Sequence, residues 1–177
     1  MELRTKFELL LYKNIHAVLA FLIPNKIQKR KVKTISNDEA IELIRRANLV
    51  DAEFYLNTYE DVKRRGVEPV SHYVRYGYKE GRNPNKFFDT SFYRNFYKLD
   101  VELNPLIDYL LCEENYLNKT SELFDGQLYY FLNADVMSAK VNPLQHYLTY
   151  GKDERRKFTL SRSVTANQSP LQVKKLT

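Results

Sequence analysis

The sequence predicts an all-α chain: an array of three short helical-hairpin repeats preceded by an amphipathic amino-terminal helix. Three observations carry this. Helix-starting residues recur at set places, apolar residues recur at spacings of three and four, and one phrase returns three times with Asp-to-Asp steps of 38 and 36 residues. At 177 residues, with 44% hydrophobic and 28% charged side chains, the chain has room for one ordinary domain or a short array and falls in the globular class. Its aromatic content is unusual, with 14 Tyr and 10 Phe but no Trp. The single cysteine, Cys112, excludes an intrachain disulfide and any multi-cysteine metal site.

The first element is a helix over residues 3–23. Read as a helix, it puts Leu3, Phe7, Leu11, Ile15, Val18 and Leu22 on one face, and Pro24 stops it. A basic run follows at once, containing Lys26, Lys29, Arg30, Lys31 and Lys33. Residues 1–36 hold eight basic side chains against two acidic ones, and residues 37–177 hold 20 of each, so the whole net charge of +6 sits at the amino end. A neutral body does not suit nucleic acid, whose affinity comes from neutralising many phosphates. An apolar stripe beside a basic cluster suits an anionic membrane surface, where each Lys or Arg contributes about 1 kcal/mol. Residues 1–35 therefore read as a membrane-associating segment. A helix packed on the body and a true span remain alternatives, the span being interrupted by Glu8, Lys13, Asn14 and His16.

Next, Ser36 and Glu39 form a capping box with Ile35 placed as a staple, opening a helix to about Asn48 that caps the array. The body then spans residues 49–157. Asp51, Asp89 and Asp125 are placed as N-caps for helices carrying Tyr55, Tyr93 and Tyr129. After a turn near Gly66 and its counterparts, Pro69, Pro105 and Pro143 open second helices; Asn104 and Asn142 precede the latter two as caps. Tyr73, Tyr109 and Tyr147 lie on the apolar face of those helices and are expected in the core. Gly77 and Gly151 are placed as left-handed C-caps. Two helices per unit and no sheet are expected. The middle unit lacks the Tyr-Gly ending and is expected to be the least regular. Residues 158–177 read as a tail or linker.

The phrases Phe/Val-Asp-x-x-Phe-Tyr, Pro-x-x-His-Tyr and Tyr-Gly-Tyr-Lys-Glu-Gly-Arg-Asn-Pro-Asn (residues 76–85) resemble a bacterial repeat found beside glycosyltransferase domains of surface-polysaccharide synthesis. The likeness covers residues 49–157 and is partial in the middle unit, where Asp108 replaces His. It implies a place in glycan assembly at the cytoplasmic face of the inner membrane, with a glycosyltransferase or another polysaccharide-assembly protein as partner.

Candidate chemistry is sparse. His72 and His146 share one repeat position, and a metal or acid-base pair would need both to converge; a structural role capping a neighbouring helix is the simpler reading. Glu80, Arg82, Glu154, Arg155 and Arg156 read as solvated turn charges, and Cys112 as a core filler. There is no Gly-rich phosphate loop and no Asp-x-Asp. Catalytic, cofactor and metal residues are thus assigned to none. The function expected is a non-catalytic module that scaffolds or recruits a transferase, with a truncated or divergent glycosyltransferase, or a glycan-binding module, as alternatives.

Overall fold

A computed structural model describes residues 35–159, which are mostly helical with one small sheet. The predicted amphipathic helix over residues 3–23, the basic run after it and the tail beyond residue 159 lie outside the described residues. Among the described residues, no helix is long and apolar enough to cross a membrane.

The first helix, α1 (Asn37–Ala47), begins with the predicted capping box: the Glu39 backbone N–H donates to Ser36 Oγ, and the Ser36 N–H to the Glu39 carboxylate. It ends at Asn48 in the left-handed conformation, which an Asn tolerates better than most residues. Ala40, Ile41, Ile44 and Ala47 form its buried face.

The first stretch of the body then runs α2 (Ala52–Thr58), α3 (Glu60–Arg64) and α4 (Pro69–His72), the last continuing into a wide turn, Tyr73–Gly77. The Tyr78 N–H closes that turn on the Tyr73 carbonyl, an i to i+5 bond of 3.0 Å. The second stretch has α5 (Thr90–Phe96), α6 (Pro105–Leu111), a 3₁₀ segment (Glu113–Leu117), and an antiparallel pair, β1 (Lys119–Ser121) with β2 (Phe124–Asp125). The third has α7 (Gly126–Leu132), α8 (Ala134–Ser138) and α9 (Pro143–His146), with the wide turn again at Tyr147–Gly151.

Local capping accounts for where these helices start. Asp51, Asp89 and Asp125 accept from the N–H groups of Phe54, Phe92 and Leu128 at 2.8–3.0 Å. Pro69, Pro105 and Pro143 each occupy the first turn, capped by Glu68, Asn104 and Asn142.

Several expectations are corrected. The sheet exists because the second stretch, having left its helix at Cys112, returns in extended form beside the entry to α7. A short additional helix, α3 or α8, stands between the two predicted ones in the first and third stretches, burying Val62 and Val136. The left-handed glycines are Gly66 and Gly81, not Gly77 and Gly151. Cys112 is half-buried at the rim, its Sγ 3.8 Å from the Glu114 carboxylate. Packing also continues past residue 157: the Phe158 ring lies 4.7 Å from Tyr147 and 5.6 Å from Phe87.

The core is aromatic. Tyr55, Tyr73, Tyr93, Tyr109 and Tyr129 are fully buried and Tyr147 nearly so. Each stretch nests its two core tyrosines edge to face, at centroid distances of 6.3 Å for Tyr55 and Tyr73, 6.1 Å for Tyr93 and Tyr109, and 5.8 Å for Tyr129 and Tyr147. Phe88 and Phe124 stand just before Asp89 and Asp125 and complete the second and third clusters.

Candidate functional site

The recurring histidines, and the aspartate in the middle stretch, each meet a tyrosine of their own stretch rather than one another across the array. The Tyr55 hydroxyl lies 3.0 Å from His72 Nδ1, and the Tyr129 hydroxyl 2.9 Å from His146 Nδ1. In the second stretch, Tyr93 donates to Asp108, the residue in the histidine's place, at 3.1 Å. The partners are 17, 15 and 17 residues apart. The predicted role for His72 and His146, capping a neighbouring helix, is replaced by this bond to a buried phenol. Burial keeps Tyr55 and Tyr129 protonated by pushing their pKa values far up. Burial, followed by the nearby Arg82 charge, holds His72 below its ordinary value.

Gly77 and Gly151 follow from the same geometry. A β-carbon built on either would collide with the hydroxyl of Tyr55 or Tyr129. These glycines admit a close approach, which is why their backbone angles need not be left-handed. In the second stretch Glu113 holds the corresponding place, eight residues after the proline, and there the helix has already ended at Cys112.

The turn charges are also spoken for. Arg82 makes a bidentate pair with Asp61 at 2.8 and 2.9 Å, pairs with Glu80, and lies over the Tyr59 ring at 4.9 Å. Arg156 repeats the arrangement with Asp135 and Glu154. Only 18% of the Arg82 side chain is exposed, so the reading of solvated turn charges is corrected for both arginines. The Asp61 carboxyl, held by Arg82, has its pKa lowered to about 2. Asn118 replaces the arginine in the second stretch and donates to the Tyr93 hydroxyl at 2.9 Å.

A third tie, which the sequence reading missed, joins the end of each α2-like helix to the strand-like exit. The Tyr59 hydroxyl accepts from the Asn83 N–H, the Tyr97 hydroxyl accepts from the Lys119 N–H, and Asn133 donates to the Lys157 carbonyl. Tyr59, Tyr97 and Asn133 all stand eight residues after the capping Asp, so the signal was present but divided between two residue types. Between stretches, the Tyr73 hydroxyl meets Thr90 and the Tyr109 hydroxyl donates to Asn142, each at 3.1 Å.

Among the described residues, no group of three or more His, Cys, Asp or Glu is arranged to hold a metal ion. Two shallow surface hollows lie along the polar side of α1 at Asp38, Glu42 and Arg46 and beside Glu53 and Asn57. What reaches the surface in duplicate is aromatic: Tyr76 and Tyr150 stand directly before Gly77 and Gly151, each with its ring 5.9 Å from the neighbouring histidine ring. Neither a protein-family model, nor a curated protein, nor a solved structure matches the chain.

Proposed function

We propose that residues 49–157 are a three-unit helical array with no catalytic task, which scaffolds or recruits a glycosyltransferase or another polysaccharide-assembly protein at the cytoplasmic membrane. The observation that carries this reading is the internal use of the recurring polar groups. In the first and third units the histidine is held by a tyrosine of its own unit and the arginine by two carboxylates of its own unit. A catalytic pair needs its members converging on one space, and these groups are distributed one set per unit. The resemblance to repeats beside transferase domains supplies the partner class. The apolar stripe from Leu3 to Leu22, with the cluster at Lys26, Lys29, Arg30, Lys31 and Lys33, supplies the membrane attachment.

The test is capture of the tagged full chain from bacterial membranes followed by mass spectrometry, with the purified chain assayed for nucleotide-sugar turnover. Recovery of a polysaccharide-assembly transferase, lost when residues 1–33 are deleted, with no turnover by the purified chain, is the expected result. Donor turnover that follows the chain through purification overturns the scaffold reading in favour of a divergent transferase.

A further inference from the structure

Tyr76 and Tyr150 differ from the other tyrosines of the two-fold motif in facing solvent. They are 58% and 59% exposed, whereas Tyr55, Tyr73 and Tyr129 are fully buried. Each sits on the penultimate residue of a wide i to i+5 turn, a local geometry frequent at functional sites. The neighbouring imidazole, tilted 52° to the Tyr76 ring and 58° to the Tyr150 ring, is itself fixed by the buried phenol on its far nitrogen. Tyr55 and Tyr129 make no other side-chain hydrogen bond among the described residues, so each phenol–Nδ1 bond, whichever atom donates, occupies one nitrogen of the ring. The second nitrogen, Nε2, makes no hydrogen bond among the described residues and is left to donate or accept according to the tautomer.

We infer that Tyr76 with His72, and Tyr150 with His146, are two equivalent saccharide-binding platforms, and that the ligand is a polysaccharide chain engaging both. A pyranose presents a flat apolar face with hydroxyls around its edge. An exposed aromatic face held beside an imidazole nitrogen that can donate to or accept from a hydroxyl matches both features. A nucleic-acid base would also stack, but residues 37–177 carry equal numbers of basic and acidic groups and offer no excess charge for a phosphate backbone. The second stretch has no such platform: Cys112 stands in the tyrosine's place, and Asp108 is buried under Tyr93 and Asn115. Two repeat-equivalent sites on one chain favour a ligand with a repeating structure, because a chain that spans both makes the second binding event intramolecular and raises avidity by about 10²–10⁴ over one site. The inference adds the exposed Tyr76 and Tyr150 and the second nitrogen of His72 and His146, whose Nδ1 bonds to Tyr55 and Tyr129 the scaffold reading already uses.

The test is affinity electrophoresis of the full chain through native gels containing a neutral glucan, a mannan or glycol chitin, alongside Tyr76→Ala, Tyr150→Ala and the double variant. At least one polymer should retard the parent. Each single variant should weaken retardation at least about a hundredfold, the lower end of the avidity range, and the double variant should migrate as in a blank gel while keeping the parent's thermal unfolding temperature. A disaccharide or trisaccharide of the same sugar should compete at least about a hundredfold more weakly than the polymer. Unretarded migration of the parent in all three gels, or retardation of the double variant equal to the parent's, overturns the inference. If the parent is unretarded but the double variant loses capture of a membrane transferase, the tyrosines form a protein-docking surface, which equally overturns it and leaves the scaffold reading standing.

Discussion

The Tyr55 hydroxyl occupies the space that a β-carbon at residue 77 would need, and the glycine there is the reason the phenol can reach His72. One small residue thereby lets the first motif of the stretch close onto the second. Tyr129 and Gly151 repeat the relationship.

Gly77→Ala should therefore destabilise the fold by about 1–3 kcal/mol, the range for overpacking, although alanine ordinarily favours helical backbone by about 1 kcal/mol. Urea unfolding followed by circular dichroism reads this. Placing the same substitution in a Tyr55→Phe background should recover most of the loss, since the colliding oxygen is gone; independent additive effects would contradict the close-approach account.

Tyr109 is fully buried, touches Phe88 and Tyr93, and donates to Asn142 of the following stretch. Tyr109→Ala should cost about 3–5 kcal/mol, as for other core aromatics, and Tyr109→Phe about 1 kcal/mol for the single hydrogen bond. A loss below about 1 kcal/mol for the alanine variant would place the ring outside the core.

Acid should loosen the first stretch in two steps. His72 is held below its ordinary value by burial and then by Arg82, so the unfolded chain takes up its proton first. Its contribution is complete above the free-histidine value of 6.5 and is lost as the pH falls through the lower folded value. Asp61, lowered to about 2 by Arg82, contributes fully above the ordinary aspartate value of 3.8 and loses that contribution as the pH falls through about 2. Proton NMR of the His72 ring should give a midpoint below 6.5, and Arg82→Gln should raise the Asp61 midpoint. A His72 midpoint above 6.5 would contradict its buried setting.

Alkali acts through the core phenols. Burial pushes Tyr97 and Tyr130 up to about 12, and Tyr73 further. Their contribution to stability is present below the ordinary tyrosine value of 10 and is lost as the pH rises through the folded values. Ultraviolet titration should show a late group of tyrosines whose ionisation coincides with loss of the helical circular dichroism signal. Smooth ionisation of every tyrosine near 10 with the helices intact would contradict the aromatic core.

Legibility in the sequence followed range along the chain. The caps at Ser36, Asp51, Asp89 and Asp125 and the prolines at Pro69, Pro105 and Pro143 were readable because a cap acts on N–H groups two or three residues away, and residue type at short spacing carries that information. The burial of Tyr73, Tyr109 and Tyr147 was readable for the same reason, from their place on one helical face. The polar site was only half legible: His72, Arg82 and their counterparts were visible as recurrences, without their partners.

The sequence by itself determined where the helices capped by Ser36, Asp51, Asp89 and Asp125 and those opened by Pro69, Pro105 and Pro143 begin, that Tyr73, Tyr109 and Tyr147 enter the core, and that the middle stretch departs from the other two. Tertiary structure alone decided that Tyr55 binds His72, that Arg82 clamps Asp61 21 residues away, and that residues 119–125 pair as strands. Short helices of four to seven residues fix their own start but not the angle at which they meet, and that angle is set by packing of the whole aromatic core. Gly77 shows the consequence. A glycine after a run of helical residues satisfies the local rule for a left-handed cap, and only the arrival of a hydroxyl from a helix 22 residues earlier gives it a different task.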